Sequence, residues 1–220
     1  MSTDVRPGRI DVGRLVMVPV FLLLLVNLLA TTNGNALQAM ALSFMGITRL
    51  VRELLIIGFY CLLLLLYLLR GQARASSRSL LVNTAAVVAT LLPFFFPLLA
   101  PPARRLLALA GGDLIMLAGL SWSLWALAVL GKNISIIPQA RRLVRSGPYA
   151  TVRHPLYLGE ITTALGLVVS GFSWSGLAIF TIFTLLQAYR AIHEEALLST
   201  AFADYDDYRS ATARFIPGLV

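Results

Sequence analysis

A bilayer's hydrocarbon core demands about 20 mostly apolar residues from any helix that crosses it, and this chain offers candidate runs almost end to end. They lie at residues 15–30, 54–69, 80–100, 106–130 and from 156 to about 191. Apolar side chains make up 58% of the 220 residues and charged ones 13%, against about 45–50% and about 25% in soluble domains. With a mean hydropathy of +0.82, a water-soluble globule of this makeup would expose far too much apolar surface. The chain is therefore expected to be an integral membrane protein. A formal charge of +8 would suggest nucleic acid in a soluble protein; here it supplies loops and headgroup contacts, and no nucleic-acid partner is expected. The single cysteine, Cys61, cannot form a disulfide within the chain. Together with two histidines it leaves too few soft ligands for a typical structural zinc site, and no metal site is expected.

The run from 156 to 191 is too long for one crossing. Ser170-Gly171-Phe172-Ser173 interrupts it, and Gly with Ser is turn punctuation. The spacing thus predicts a hairpin of two helices and six membrane segments in all, the last two short. The weakly apolar region 31–52 is a candidate for a further interfacial helix. Arg6, Arg9 and Arg14 precede the first run as they would in a signal peptide. The run is longer than a usual signal core and Asn33-Gly34-Asn35 is a poor cleavage site, so a retained first helix is expected. With a cytoplasmic N-terminus and alternating segments, fourteen of the eighteen Lys and Arg fall inside. Only Arg49, Arg52, Arg104 and Arg105 fall outside, as the positive-inside rule requires. Both termini are then cytoplasmic, and the loop 131–155 and the tail 190–220 share that face.

The spans carry little chemistry. Asp113, beside Gly111-Gly112, is an intramembrane acid and so a functional candidate by default; the plainer reading puts it at the interface, against water or Arg104. Cys61 and Asn83 read as packing residues. Loop and tail are different. Residues 147–159 read Gly-Pro-Tyr-Ala-Thr-Val-Arg-His-Pro-Leu-Tyr-Leu-Gly. His154 precedes Pro155, which pushes it toward extended backbone and opens the next helix at its first turn. The free amides of such a helix start suit a carboxylate. His193-Glu194-Glu195 closes the last apolar helix, with Arg190 and Glu194 four apart on one face. Phe202, Tyr205, Tyr208 and Arg214-Phe215-Ile216-Pro217 follow. A carboxylate pair, aromatic rings and an arginine suit a polar, cationic, partly aromatic ligand. A solvated helix end with snorkelling side chains is the bland alternative.

Taken in order, these pieces resemble the isoprenylcysteine carboxyl methyltransferase family. The resemblance rests on Gly147-x-Tyr149-x-x-x-Arg153-His154-Pro155-x-Tyr157-x-Gly159, Glu194-Glu195-x-x-Leu198, Phe202-x-x-Tyr205-x-x-Tyr208 and Arg214-x-Ile216-Pro217. Leu130-Gly131-Lys132-Asn133-Ile134-Ser135 and Leu143-Val144-Arg145-Ser146-Gly147 also fit. It covers residues 115–220, and in looser form the motif is shared with membrane phospholipid N-methyltransferases. Two positions depart: Arg141 stands where eukaryotic members usually carry histidine, and Ala203 replaces a glycine. The first leaves cofactor contacts around Arg141 open; the second alters a local turn.

The resemblance implies an all-α polytopic helical bundle, with residues 1–105 as about three N-terminal spans and 106–220 as spans plus a methyltransferase region. Its cofactor would be S-adenosyl-L-methionine, bound without a Rossmann domain, and no G-x-G-x-x-G follows a predicted strand here. The cytoplasmic pocket would be built from the last loop and the C-terminal tail. Tyr149, His154, Pro155, Tyr157, Glu195, Tyr205 and Tyr208 would bind the cofactor. Arg153 and Arg214 would position the acceptor or the cofactor carboxylate, and Glu194 would hold an arginine or the cofactor. The acceptor would be a lipophilic or prenylated carboxylate entering from the membrane lipid. The alternatives are N- or S-methylation of a phospholipid or small amphiphile, and a non-catalytic membrane protein. Neither His154 nor Glu195 anchors a span, so alanine at either is expected to abolish transfer without unfolding the protein.

Overall fold

The computed structural model describes residues 12–35, 44–95 and 106–218. Among these residues, six long helices form the bundle: α1 (Val12–Asn35), α2 (Phe44–Leu69), α3 (Leu80–Leu91), α4 (Leu106–Leu130), α5 (Pro155–Ser170) and α6 (Trp174–Ala201). A seventh, α7 (Tyr205–Ala211), lies in the tail. The hairpin expected at Ser170-Gly171-Phe172-Ser173 is there, and Ser173 caps α6 by accepting the Gly176 amide at 3.0 Å. Two boundaries differ from expectation. The weakly apolar 31–52 region is divided between the end of α1 and the first turns of α2, while 36–43 fall outside the described residues. The third run gives a helix only to Leu91 and then a 3₁₀ turn, Leu92–Phe95, because Pro93 cannot continue a helical ladder.

Among the described residues, three helices are long and apolar enough to cross a membrane: Gly46–Leu69, Leu107–Asn133 and Trp174–Ala201. Pro155–Ser170 is a shorter apolar helix; at 16 residues it extends about 24 Å. The chain is thus an integral membrane protein. Helices α4 and α5 pack most intimately, because small residues let their backbones touch. A Cβ on Gly119 would sit 2.5 Å from the Thr163 amide nitrogen, and one on Gly159 would sit 2.9 Å from the Gly119 carbonyl. Gly112 and Gly166, seven residues further along each stripe, repeat the contact.

One end of the bundle collects the connecting segments. A two-residue pairing of β1 (Ala75–Ser76) with β2 (Gln139–Ala140) ties the α2–α3 connection to the α4–α5 loop. Arg14 donates to the Arg70 carbonyl at that same end. At the opposite end Arg52 of α2 pairs with buried Asp113 of α4. Asp113 therefore meets Arg52 and not open water; Arg104 lies outside the described residues. Cys61 is exposed on α2 rather than packed. Asn83 donates to the Ser77 carbonyl at 3.3 Å, at the start of α3.

Candidate active site

The loop ending at Pro155 and the tail after α6 lie side by side. The Arg153 amide donates to the Ala213 carbonyl at 2.8 Å and the His154 amide to the Arg214 carbonyl at 3.2 Å. Between them runs an isolated parallel bridge, Val152 to Ala213. His154 takes φ −123° and ψ 58° ahead of Pro155, a non-helical backbone of the kind the proline imposes. Its carbonyl then accepts the Leu158 amide and starts α5.

That docking is locked by one carboxylate. Glu195, 4% exposed, sits in the last turns of α6 and receives three side chains. Arg153 Nε donates to Oε1 at 3.0 Å, and His154 Nε2 lies 3.1 Å from the same oxygen. Arg214 donates to both oxygens, Nε to Oε1 at 3.0 Å and Nη2 to Oε2 at 2.9 Å. Bidentate arginine–carboxylate contact adds direction as well as attraction. The Glu195 hydrogen bond raises the Arg214 guanidinium above its ordinary value, so that cation stays charged. Arg153 is drawn further into the tail by donating to the carbonyls of Arg209, at 2.8 Å, and Thr212.

Aromatic side chains line the tail side. The Tyr208 hydroxyl donates to the Tyr149 carbonyl at 2.7 Å. Burial pushes the Tyr149 and Tyr205 phenols well up and that of Tyr208 up to about 12. They are neutral donors and ring faces, not bases. The His154 ring stacks on Tyr157 at 5.2 Å and lies against Phe215 at 5.7 Å.

Two cavities meet here. The smaller, about 50 Å³, lies among Arg141, Tyr149, Arg153, His154, Tyr205 and Tyr208. The larger, about 530 Å³, runs down between the spans and is lined by apolar side chains, with Tyr157, Glu160 and Arg190 among them. Tyr149, Arg153, His154 and Glu194 belong to both linings. Of the residues singled out from sequence, those four are at the junction, Tyr157 faces the membrane side, and Tyr205 and Tyr208 face the tail side. Glu195 and Arg214 line neither cavity and form the clasp behind them. Pro155 supplies the first turn of α5, and its carbonyl accepts from Trp122 Nε1 at 2.9 Å. Arginines are held by Glu195, whereas Glu194 accepts the Tyr157 hydroxyl at 2.6 Å. Arg141 is buried and donates to the Gly71 carbonyl and, at 2.6 Å, to Gln139 Oε1, so it ties two connections together. Sequence reasoning passed over Glu160, an acid six positions into α5. Its signal was there, since an ionisable residue inside an apolar run is a functional candidate. Among the described residues no three His, Cys, Asp or Glu side chains form a metal-binding group.

Residues 107–205 match the family model of phospholipid methyltransferase. The matched stretch is just under half of the chain. The match takes in the junction residues and Glu195, and it agrees with the resemblance carried by the loop and tail motifs. The nickel-cobalt-cadmium resistance protein NccN of Alcaligenes xylosoxydans xylosoxydans is 35% identical over 82 residues, 37% of this chain. The cobalt-zinc-cadmium resistance protein CzcN of Cupriavidus metallidurans is 37% identical over 81 residues, 35% of this chain. These stretches are 38% and 36% of the two proteins, so the chain spans under two-fifths of the length of the curated relatives it matches. A solved eukaryotic intramembrane Ras methyltransferase, isoprenylcysteine carboxyl methyltransferase, aligns with 96% of this chain and 88% of its own at 20% identity and a TM-score of 0.44.

Proposed function

We propose that this membrane protein transfers a methyl group from S-adenosyl-L-methionine to the carboxylate of a lipophilic acceptor. The observation that carries the reading is the meeting of a tail-side cavity and a membrane-side cavity at Tyr149, Arg153, His154 and Glu194. One reactant can reach such a junction from water and the other from lipid. Small-ligand pockets span about 300–1,000 Å³, so 50 Å³ is too little for the cofactor and 530 Å³ is within range. A cofactor entering from the tail side would therefore reach through the junction into the larger cavity. The side chains suit it: the Glu194 carboxylate and the Tyr149 ring favour a sulfonium cation.

When bound, that cofactor supplies an electrophilic methyl group. The chain's own part is placement. A carboxylate acceptor is already an anion, so no side chain has to remove a proton. Tyr149 and Tyr208, neutral and joined by a hydrogen bond, hold the tail-side wall. The Glu195 clasp fastens the tail over the junction and excludes water from it. Orientation of this kind can contribute about 7–11 kcal/mol to a bimolecular transfer.

Incubating the purified protein with methyl-labelled cofactor and a membrane lipid extract tests this. Base-labile, volatile methanol is the expected product. A base-stable label would instead mark N- or S-methylation, the reading favoured by the phospholipid methyltransferase match. No heat on titration with S-adenosylhomocysteine would reject both and leave a non-catalytic membrane protein.

A further inference from the structure

A carboxylate inside a membrane helix is costly, and it persists where something holds it. Glu160 of α5 lines the larger cavity and accepts the side-chain amide of Gln187 on α6. Gln187 is 1% exposed. Its carbonyl oxygen accepts Arg190 Nη1 at 2.9 Å, and Arg190 Nη2 donates to the Ile136 carbonyl at 2.7 Å. The Ile136 amide in turn donates to the Tyr67 hydroxyl of α2 at 2.7 Å. Both backbone polar groups of one loop residue are thus gripped by side chains from two different helices. That loop is a shared wall: residues 134–136 line the larger cavity, while Gln139 and 141–144 line the smaller.

The orientation of Arg190 is the informative part. Glu194 lies one turn further along the same helix face, the spacing at which an ion pair forms readily. In apolar surroundings such a pair would be stronger than in water. Arg190 nevertheless turns the other way, to Gln187 and Ile136, with its guanidinium 4.7 Å over the Tyr157 ring. Glu194 is left facing the cavities with the Tyr157 hydroxyl as its donor. The Glu160 carboxyl lies on the far side of Gln187, in the direction the guanidinium takes.

We propose that Glu160 is a positioning residue: acting through Gln187, it holds Arg190 on the Ile136 carbonyl and off Glu194, which fastens the 134–137 wall and keeps Glu194 open to the junction. The fastening does not depend on the methyltransferase reading; the consequence for Glu194 rests on it.

Hydrogen–deuterium exchange on the full chain in detergent, read by mass spectrometry, tests the fastening. In Glu160→Gln, amides of 134–139 should exchange about tenfold faster, the opening expected when a charge-assisted hydrogen bond is lost. Those of α4 and α5 should be unchanged. Gln187→Leu should loosen the same peptide, and the double variant should exchange no faster than either single one. Calorimetric titration with S-adenosylhomocysteine tests the second half. Glu160→Gln should bind it several-fold more weakly, and adding Arg190→Gln should restore affinity while leaving the 134–139 peptide loose. Exchange that rises throughout the helices, or does not rise at all, would overturn the proposal. Local loosening in Glu160→Gln, with no binding of S-adenosylhomocysteine by the wild-type protein, would uphold the fastening and reject the methyltransferase reading instead.

Discussion

Replacing Glu195 with alanine isolates the clasp. Four contacts disappear at once, those from Arg153, His154 and both nitrogens of Arg214. They are not equal. The Arg153 side chain is 4% exposed and Glu195 5%, so deletion strands a buried cation, which costs about 3–5 kcal/mol. The Arg214 side chain is 35% exposed, and water takes over much of that contact, leaving at most about 1 kcal/mol. The loss does not fall on the spans, because α6 keeps its own ladder and its packing. It falls on the tail, where residues 212–214 are held by Arg153 and by two backbone bonds. A penalty of about 3 kcal/mol raises the open fraction of that segment about a hundredfold. The expected outcome of the alanine variant is therefore a helical bundle that stays folded with a tail that opens. Limited proteolysis in detergent should nick Glu195→Ala between 202 and 218 at concentrations that spare the wild type, with the helical circular dichroism nearly unchanged. Glu195→Gln, which can still accept from one arginine, should fall between the two. A Glu195→Ala tail as protected as the native one would refute the clasp and, with it, the closing of the junction.

The α4–α5 stripe makes a steric prediction. Gly119→Ala, whose methyl would meet the Thr163 backbone at 2.5 Å, should lower stability in detergent by about 1–3 kcal/mol. Gly58→Ala, with open space around it, should be neutral, and equal thermal midpoints for the two would sink the close-packing account. Tyr208→Phe removes the donor to the buried Tyr149 carbonyl and should cost about 1–3 kcal/mol at neutral pH. It also has an alkaline signature. Burial raises the Tyr208 phenol to about 12 in the folded protein, whereas the unfolded chain releases that proton near its ordinary value of about 10. The unfolded state thus holds fewer protons in this window, and stability falls as pH rises from about 10 to 12. Midpoints measured across that range should fall less steeply in the variant; an identical slope would show that Tyr208 is not buried as described.

The features legible in the sequence are the local ones. Apolar runs mark the six helices, and Ser170-Gly171 places the turn between α5 and α6, because composition over 20 residues and a turn-forming pair need no knowledge of what packs nearby. His154-Pro155 likewise sets its own backbone. What could not be read is partnership. Glu194 and Glu195 are neighbours in sequence but point about 100° apart around the helix. Which one clasps arginines and which faces the cavities depends on how α6 is rotated against α5. Both carboxylates stood out, yet the arginine-holding role belongs to Glu195. Asp113 meets Arg52 across 61 positions and Glu160 meets Gln187 across 27, separations over which spacing rules say nothing. The stripe of Gly112, Gly119, Gly159 and Gly166 is an intermediate case. Its seven-residue repeat is visible, but it becomes a contact only when two such stripes face each other.

That division also explains why the chemistry sits where it does. A carboxylate in lipid is tolerated only when another side chain reaches it, and the α4–α5 contact brings backbones too close to leave room for such side chains along most of its length. Among the described residues, the buried charged groups discussed above lie in places where the helices part. One is the far end, closed by Arg52 and Asp113. The other lies between α5 and α6, where Glu160, Gln187, Arg190 and Tyr157 fill the gap that leads to Glu194. At the first the pair closes on itself. At the second, the polar chain ends on Glu194, a carboxylate that lines both cavities.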